Sequence, residues 1–171
     1  IRRVGLLGAM FLLLGSFAQR QLGRLVGTVP GAEMKTAVVL AKAQKAQLAL
    51  IDIPVEVTLQ KLSWISAREK IGLVSDILLG LAGFRKTDTF ADINISKTPP
   101  KEVIKKALAL VKQRHPELYK VLVEDRNAHM AKSLLHIMQT VPEKKILAEV
   151  GAGHEEELAA MIKKQLSNRR I

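Results

Sequence analysis

One stretch limits what this chain can fold into more than any other: Lys145-Ile146-Leu147-Ala148-Glu149-Val150-Gly151-Ala152-Gly153-His154, an apolar run that stops at glycines and then presents an imidazole. A short aliphatic run bounded by glycine predicts a buried strand, and the acidic, Leu-rich segment from Glu155 to Leu166 predicts the helix after it. His154 then stands at the carboxyl end of a strand, where ligands of open α/β sheets collect. Spacing alone leaves two readings open: a helix-initiating histidine behind a tight turn, and a functional imidazole.

The rest of the chain supplies mostly helices. Ala32 to Lys45 carries an apolar face beside Lys35, Lys42 and Lys45, and the turn Gly27-Thr28-Val29-Pro30-Gly31 precedes it. Gln47 to Ile51 is a second short apolar run ending in Asp52, and Pro54 opens a helix through Leu59. Helices are predicted over Ala67 to Leu81, Lys101 to Gln113 and, after Pro116, Glu117 to Gln139, with the polar stretch Arg85 to Pro100 as the flexible loop. The expected fold is therefore α/β and helix-rich, a small central sheet with flanking helices, in a single domain over residues 1–171. Two strands make a poor sheet, so further strands are expected from upstream chain or from a neighbouring chain.

Composition narrows the chemistry. A 171-residue chain that is 48% hydrophobic buries a real core, and the absence of Cys removes disulfides, thiolate metal sites and a Cys nucleophile. Aromatic residues are only 4% of the chain, so stacking platforms for single-stranded nucleic acid are poorly supplied. The net charge of +11 invites polyanions, but Lys and Arg are spread along helical faces, as at Lys101, Lys105 and Lys106. A solvated surface is the expectation, contact with an anionic membrane is the alternative, and nucleic acid is not expected as a partner. Arg2-Arg3 before the apolar run Val4 to Gly15 imitates a targeting signal, yet the run is about a dozen residues against the roughly 20 of a membrane span. A buried or interfacial helix is expected there.

The long helix concentrates titratable groups: Glu124, Asp125, Arg126, His129, Lys132 and His136. Asp125 and His129, at i and i+4, share a face, so the carboxylate can orient the imidazole, join it on a metal, or form an ordinary exposed pair. His136 is expected at the surface, and His115, before Pro116, in a structural role. Dinucleotide, P-loop, His-Glu-x-x-His and Gly-x-Ser-x-Gly signatures are missing from the sequence.

Four words, in order, carry a resemblance: Pro30-Gly31-Ala32-Glu33-Met34, then Ala49 to Leu59, then Leu122-Val123-Glu124-Asp125-Arg126-Asn127-Ala128-His129-Met130, and last Val150-Gly151-Ala152-Gly153-His154. Together they resemble the TraB/PrgY (pheromone shutdown) family, related to the TIKI metalloproteases and the erythromycin-esterase/ChaN-like group. The resemblance covers about Gln19 to Lys164. It departs where Ile53 follows Asp52 in place of an arginine, where Asp125 and Asn127 stand for a glutamate and an aspartate, and where an upstream Gly-x-x-His word is missing.

The resemblance implies an α/β sheet whose strand ends gather histidines, a glutamate and an arginine around a divalent metal, with Mn, Co or Zn the candidates. By matching position His154 is a metal ligand or acid/base, Glu33 and Asp125 are its carboxylate partners, and Arg126 holds a substrate carbonyl or orients a carboxylate. Gly151 and Gly153 let the backbone turn sharply and approach a ligand. The function expected is a metal-dependent hydrolase or peptidase acting on, or regulating, a peptide or protein. The alternatives are a non-catalytic peptide-binding module and a membrane-associated scaffold, the location being membrane-associated or cytoplasmic. Self-association into a homo-oligomer is also expected.

Overall fold

The structure, a computed structural model, describes residues 31–81, 101–141 and 145–168. The amino-terminal apolar run, the loop expected over Arg85 to Pro100 and the basic pair Arg169-Arg170 lie outside them.

The order of elements is α1 (Ala32–Ala43), α2 (Val55–Trp64), α3 (Ala67–Leu81), α4 (Lys101–Arg114), α5 (Pro116–Tyr119), a π-helical turn (Lys120–Glu124), α6 (Asp125–Thr140) and α7 (Glu155–Ser167). The helices fall where the apolar periodicity places them, and their ends have local causes. Gly31, at φ +80°, turns the chain into α1. The far end of α1 closes as a Schellman motif: Ala46 N–H reaches the Ala41 carbonyl at 2.9 Å and Lys45 N–H the Lys42 carbonyl at 3.1 Å. Lys45 takes the left-handed conformation there, φ 52°, without being glycine. Pro54 precedes α2, and Pro116 is the first residue of α5, where its missing N–H costs nothing.

The expected central sheet is not formed. Among the described residues there is no strand, and both segments read as strands, Gln47 to Ile51 and Lys145 to Val150, are irregular. The physical reason is that a strand needs a partner for its backbone groups, and the side chains here are not buried either. Leu50 is 90% and Leu147 96% exposed, where a central strand would hide both. The architecture of the described residues is helix packed on helix.

Two apolar clusters hold it together. In one, Leu59, Leu62 and Ile65 from α2 and its exit meet Leu118 and Val121 across the start of the long helix, with Leu73, Val111 and Leu122 alongside. In the other, Met130, Ala131 and Leu134 of α6 meet Leu158 of α7, and Ile51 and Val150 pack on the same cluster. The second contact brings the carboxyl ends of both irregular segments to the first turns of α6. Helix α1 buries none of its residues.

The first cluster is reinforced by an exchange of helix caps. Ser66-x-x-Glu69 is a capping-box sequence, and Glu69 N–H does donate to Ser66 Oγ at 3.3 Å. The Glu69 carboxylate, however, leaves its own helix and accepts from the Leu118 and Glu117 N–H groups at 2.7 and 3.1 Å. Glu117 returns the contact, accepting from Ser66 N–H at 2.6 Å. Each helix N-terminus, with its partial positive charge, is thus capped by the other's carboxylate.

Candidate functional site

The candidate site forms where α6, α7 and the two irregular segments converge. The turn Gly151 to His154, closed by His154 N–H donating to the Gly151 carbonyl at 2.8 Å, delivers His154 to the N-cap of α7. Neither Gly151 nor Gly153 uses a left-handed φ, and an added Cβ on either would meet only ordinary contacts, His154 Cδ2 at 3.7 Å and Leu108 at 3.8 Å. The backbone turns there as expected, but the turn does not draw on glycine's special conformational freedom.

His154 is 8% exposed. Its Nδ1 lies 2.7 Å from Oδ1 of Asn127, a residue only 1% exposed in the first turn of α6. The Asn127 amide donates from Nδ2 to Glu157 Oε2 at 2.9 Å, and Tyr119 OH donates to Glu157 Oε1 at 2.7 Å. Glu157 is the third residue of α7, so it shares a face with His154. In a capping box it would bend back to its own helix start. Here His154 N–H is already satisfied by Gly151, and Glu157 turns outward to Asn127 and Tyr119.

Beside this chain sits an ion pair. Arg126 grips Asp52 with two bonds, Nη2 to Oδ2 at 2.6 Å and Nε to Oδ1 at 3.1 Å, while its Nη1 donates to the Leu122 carbonyl at 3.3 Å. The guanidinium holds the Asp52 carboxyl below its ordinary value, against the burial that raises it. Burial is also the main force on His154 and pushes its pKa down; the Arg126 charge adds to that, while Asp52 and Glu157 oppose it. A pKa below the ordinary histidine range keeps the His154 imidazole mainly neutral at pH 7. Burial and the bond to Glu157 push the Tyr119 phenol well above its ordinary range, so it remains a donor.

The π-helical turn immediately precedes these residues. Asp125 N–H donates to the Lys120 carbonyl, five residues back instead of four. Such single turns carry one extra residue and recur beside functional sites. On the outer side, Tyr119, Gly153 and Glu157 also line a cleft of about 310 Å³ against Leu108 and Lys112 of α4. Its mouth is bridged by the exposed ion pairs Lys101–Glu155 and Lys105–Glu156 at 2.8 and 3.0 Å.

The expected site residues are only partly brought together. His154 and Arg126 share the site. Asp125 does not face it: two positions before Asn127, it points away around the helix and pairs with Lys61 Nζ at 2.5 Å. Glu33 is exposed on α1 and, among the described residues, bonds to none of these groups. The metal set His154, Glu33 and Asp125 thus does not converge, and among the described residues no three His, Asp or Glu side chains are placed to hold a metal ion. His129 and His136 are exposed, and His115 is buried as the N-cap of α5, its Nε2 3.2 Å from Asp76. The residues missed were Asn127, Glu157, Tyr119 and the carboxylate of Asp52. Local spacing carried no signal for these contacts: Glu157 stands where a capping-box glutamate would serve its own helix, and Tyr119 and Asn127, eight residues apart, share a face only because of the π-helical turn between them.

A buried, neutral histidine oriented by an amide and a carboxylate, next to an Arg–Asp pair, defines a helical domain with a polar site at the start of its last helix. A family model described as the TraB/PrgY/gumN family matches residues 16–164, and the chain belongs to that family. It is 30% identical over 156 residues to the uncharacterized protein MJ1365 of Methanocaldococcus jannaschii, covering 91% of this chain and 37% of the relative. The chain therefore spans little more than a third of that protein's length. No solved structure matches it. The comparisons reach the family itself and not the wider TIKI or ChaN-like groups. Among the described residues, no helix is long and apolar enough to cross a membrane.

Proposed function

We propose that this chain contributes to a hydrolase-type site that acts on a peptide, with His154 as its working group. One observation carries the reading: the imidazole is buried and held through Nδ1 at 2.7 Å by Asn127, itself only 1% exposed. A general base needs a neutral nitrogen near operating pH, and burial supplies it. Peptide as the substrate class rests on the resemblance to the pheromone-shutdown family. The divalent metal that the resemblance implies does not fit the residues described, since no three His, Asp or Glu side chains among them are placed to hold one.

The Arg126–Asp52 pair favours a second reading. Arg126 already spends three N–H groups on Asp52 and Leu122, so the guanidinium is occupied with the chain itself. A site that binds a peptide without cleaving it suits that arrangement. Cleavage of a peptide library, followed by mass spectrometry at several pH values, separates the two. The hydrolase reading predicts turnover that falls ~10²-fold or more in His154→Ala. Peptide retention that needs His154, with no turnover, supports the binding module. Turnover unchanged in His154→Ala removes His154 from the chemistry.

A further inference from the structure

We propose that Asn127, Glu157 and Tyr119 are positioning residues that hold the hydrogen of His154 on Nδ1 and leave the lone pair on Nε2. The tautomer follows from donor and acceptor types alone, starting at the outer end of the chain. Tyr119 OH donates to one oxygen of Glu157, and a carboxylate offers only acceptors. The group that Asn127 turns to the other oxygen at 2.9 Å must be its NH₂. The amide is planar, so its carbonyl oxygen is what faces His154 at 2.7 Å. A carbonyl oxygen only accepts, so Nδ1 carries the hydrogen. In a neutral imidazole the other nitrogen, Nε2, is then a bare lone pair, the form that takes a proton or binds an electrophile.

Each link also explains a residue choice. An amide accepts at one end and donates at the other, so Asn127 joins an N–H to a carboxylate where Asp would set two acceptors face to face. Asn127 is fully buried, so an amide with no matching partners would be costly there, and the chain of bonds satisfies both its ends. The working role of the lone pair rests on the reading of His154 above, but the tautomer itself does not.

The test is ¹⁵N NMR of the histidine rings in the full chain at pH 8, where pyrrole-type and pyridine-type nitrogens resonate far apart. The expected result is a pyrrole-type Nδ1 and a pyridine-type Nε2 for His154, the reverse of what a free histidine side chain prefers in water. In Glu157→Ala, an exposed position where folding is expected to survive, the Asn127 amide loses its orienting partner and the pure Nδ1–H signature is lost. Asn127→Ala is expected to move it further, and Glu157→Gln, which keeps one acceptor for the amide, to restore part of it. A wild-type ring protonated on Nε2 overturns the proposal, as does a signature unchanged in Glu157→Ala. The readout needs no turnover, so a failed cleavage screen and a failed tautomer assignment are distinguishable results.

Discussion

Removing the Glu69 carboxylate tests whether the exchanged caps contribute to stability. Glu69 is 9% exposed and accepts from two backbone N–H groups, Leu118 at 2.7 Å and Glu117 at 3.1 Å. In Glu69→Ala both lose their acceptor, and the Leu118 N–H is buried against a cluster that admits little water. Loss of a cap costs about 0.5–2 kcal/mol and a stranded buried donor about 1–3 kcal/mol. These figures overlap because they count the same bonds, so the expectation is about 2–3 kcal/mol. Glu69→Gln keeps one acceptor oxygen and is expected to recover about half. Urea denaturation followed by circular dichroism reads this as a midpoint lowered by about 1 M or more at unchanged slope. A loss under about 0.5 kcal/mol in Glu69→Ala, or a Gln variant no better than Ala, refutes the account.

Acidification should destabilise the chain in two windows. His154 has a lowered pKa, so the unfolded state takes up its proton first; its contribution is complete above about pH 6.5 and declines below it. Asp52 and Glu117, both held below the ordinary carboxylate range, add a second loss below about pH 4, and melting curves from pH 8 to 3 check the order. Arg126→Gln should raise the pKa of both Asp52 and His154 in NMR titrations, since the guanidinium lowers each; an unmoved His154 would show that burial alone sets it. Leu134→Ala, in the α6–α7 cluster, is expected to cost about 2–5 kcal/mol, whereas Leu147→Ala, at 96% exposure, should stay within about 0.5 kcal/mol. A large loss at Leu147 would restore the buried strand that the structure does not show.

The helices were legible because their signals are local. Apolar spacing, Pro54, Pro116 and the acidic first turn of α7 act within a few residues of one another. The strands failed because pairing is non-local: Lys145 to Val150 has the composition of a strand, but composition does not supply the neighbour whose backbone groups it needs. At the site, the position of His154 was readable from the Gly-Ala-Gly-His word. Its partner was not. Asn127 looked like a position that had lost a charge, yet its two-sided amide is what bridging an imidazole to a carboxylate requires. Asp125 and Asn127 lie on opposite sides of one helix, and which of them faces the site depends on what packs against each. Glu69 and Glu157 were hidden for a shared reason, since each sits where a capping glutamate serves its own helix and each is diverted to another.

The surplus residue in the π-helical turn has a bearing on how this helix tolerates changes in length. In an unbroken α-helix, residues eight apart, like Tyr119 and Asn127, diverge by about 80°. With one residue absorbed in the bulge between Lys120 and Glu124, they stand as if seven apart, within about 20°, and both reach Glu157. A chain shortened by one residue at exposed Lys120 would wind as a regular helix and still present the phenol and the amide to the same carboxylate. A chain lengthened by one there would swing them apart. Single-residue gaps at this point among relatives should therefore run in one direction, toward the shorter form.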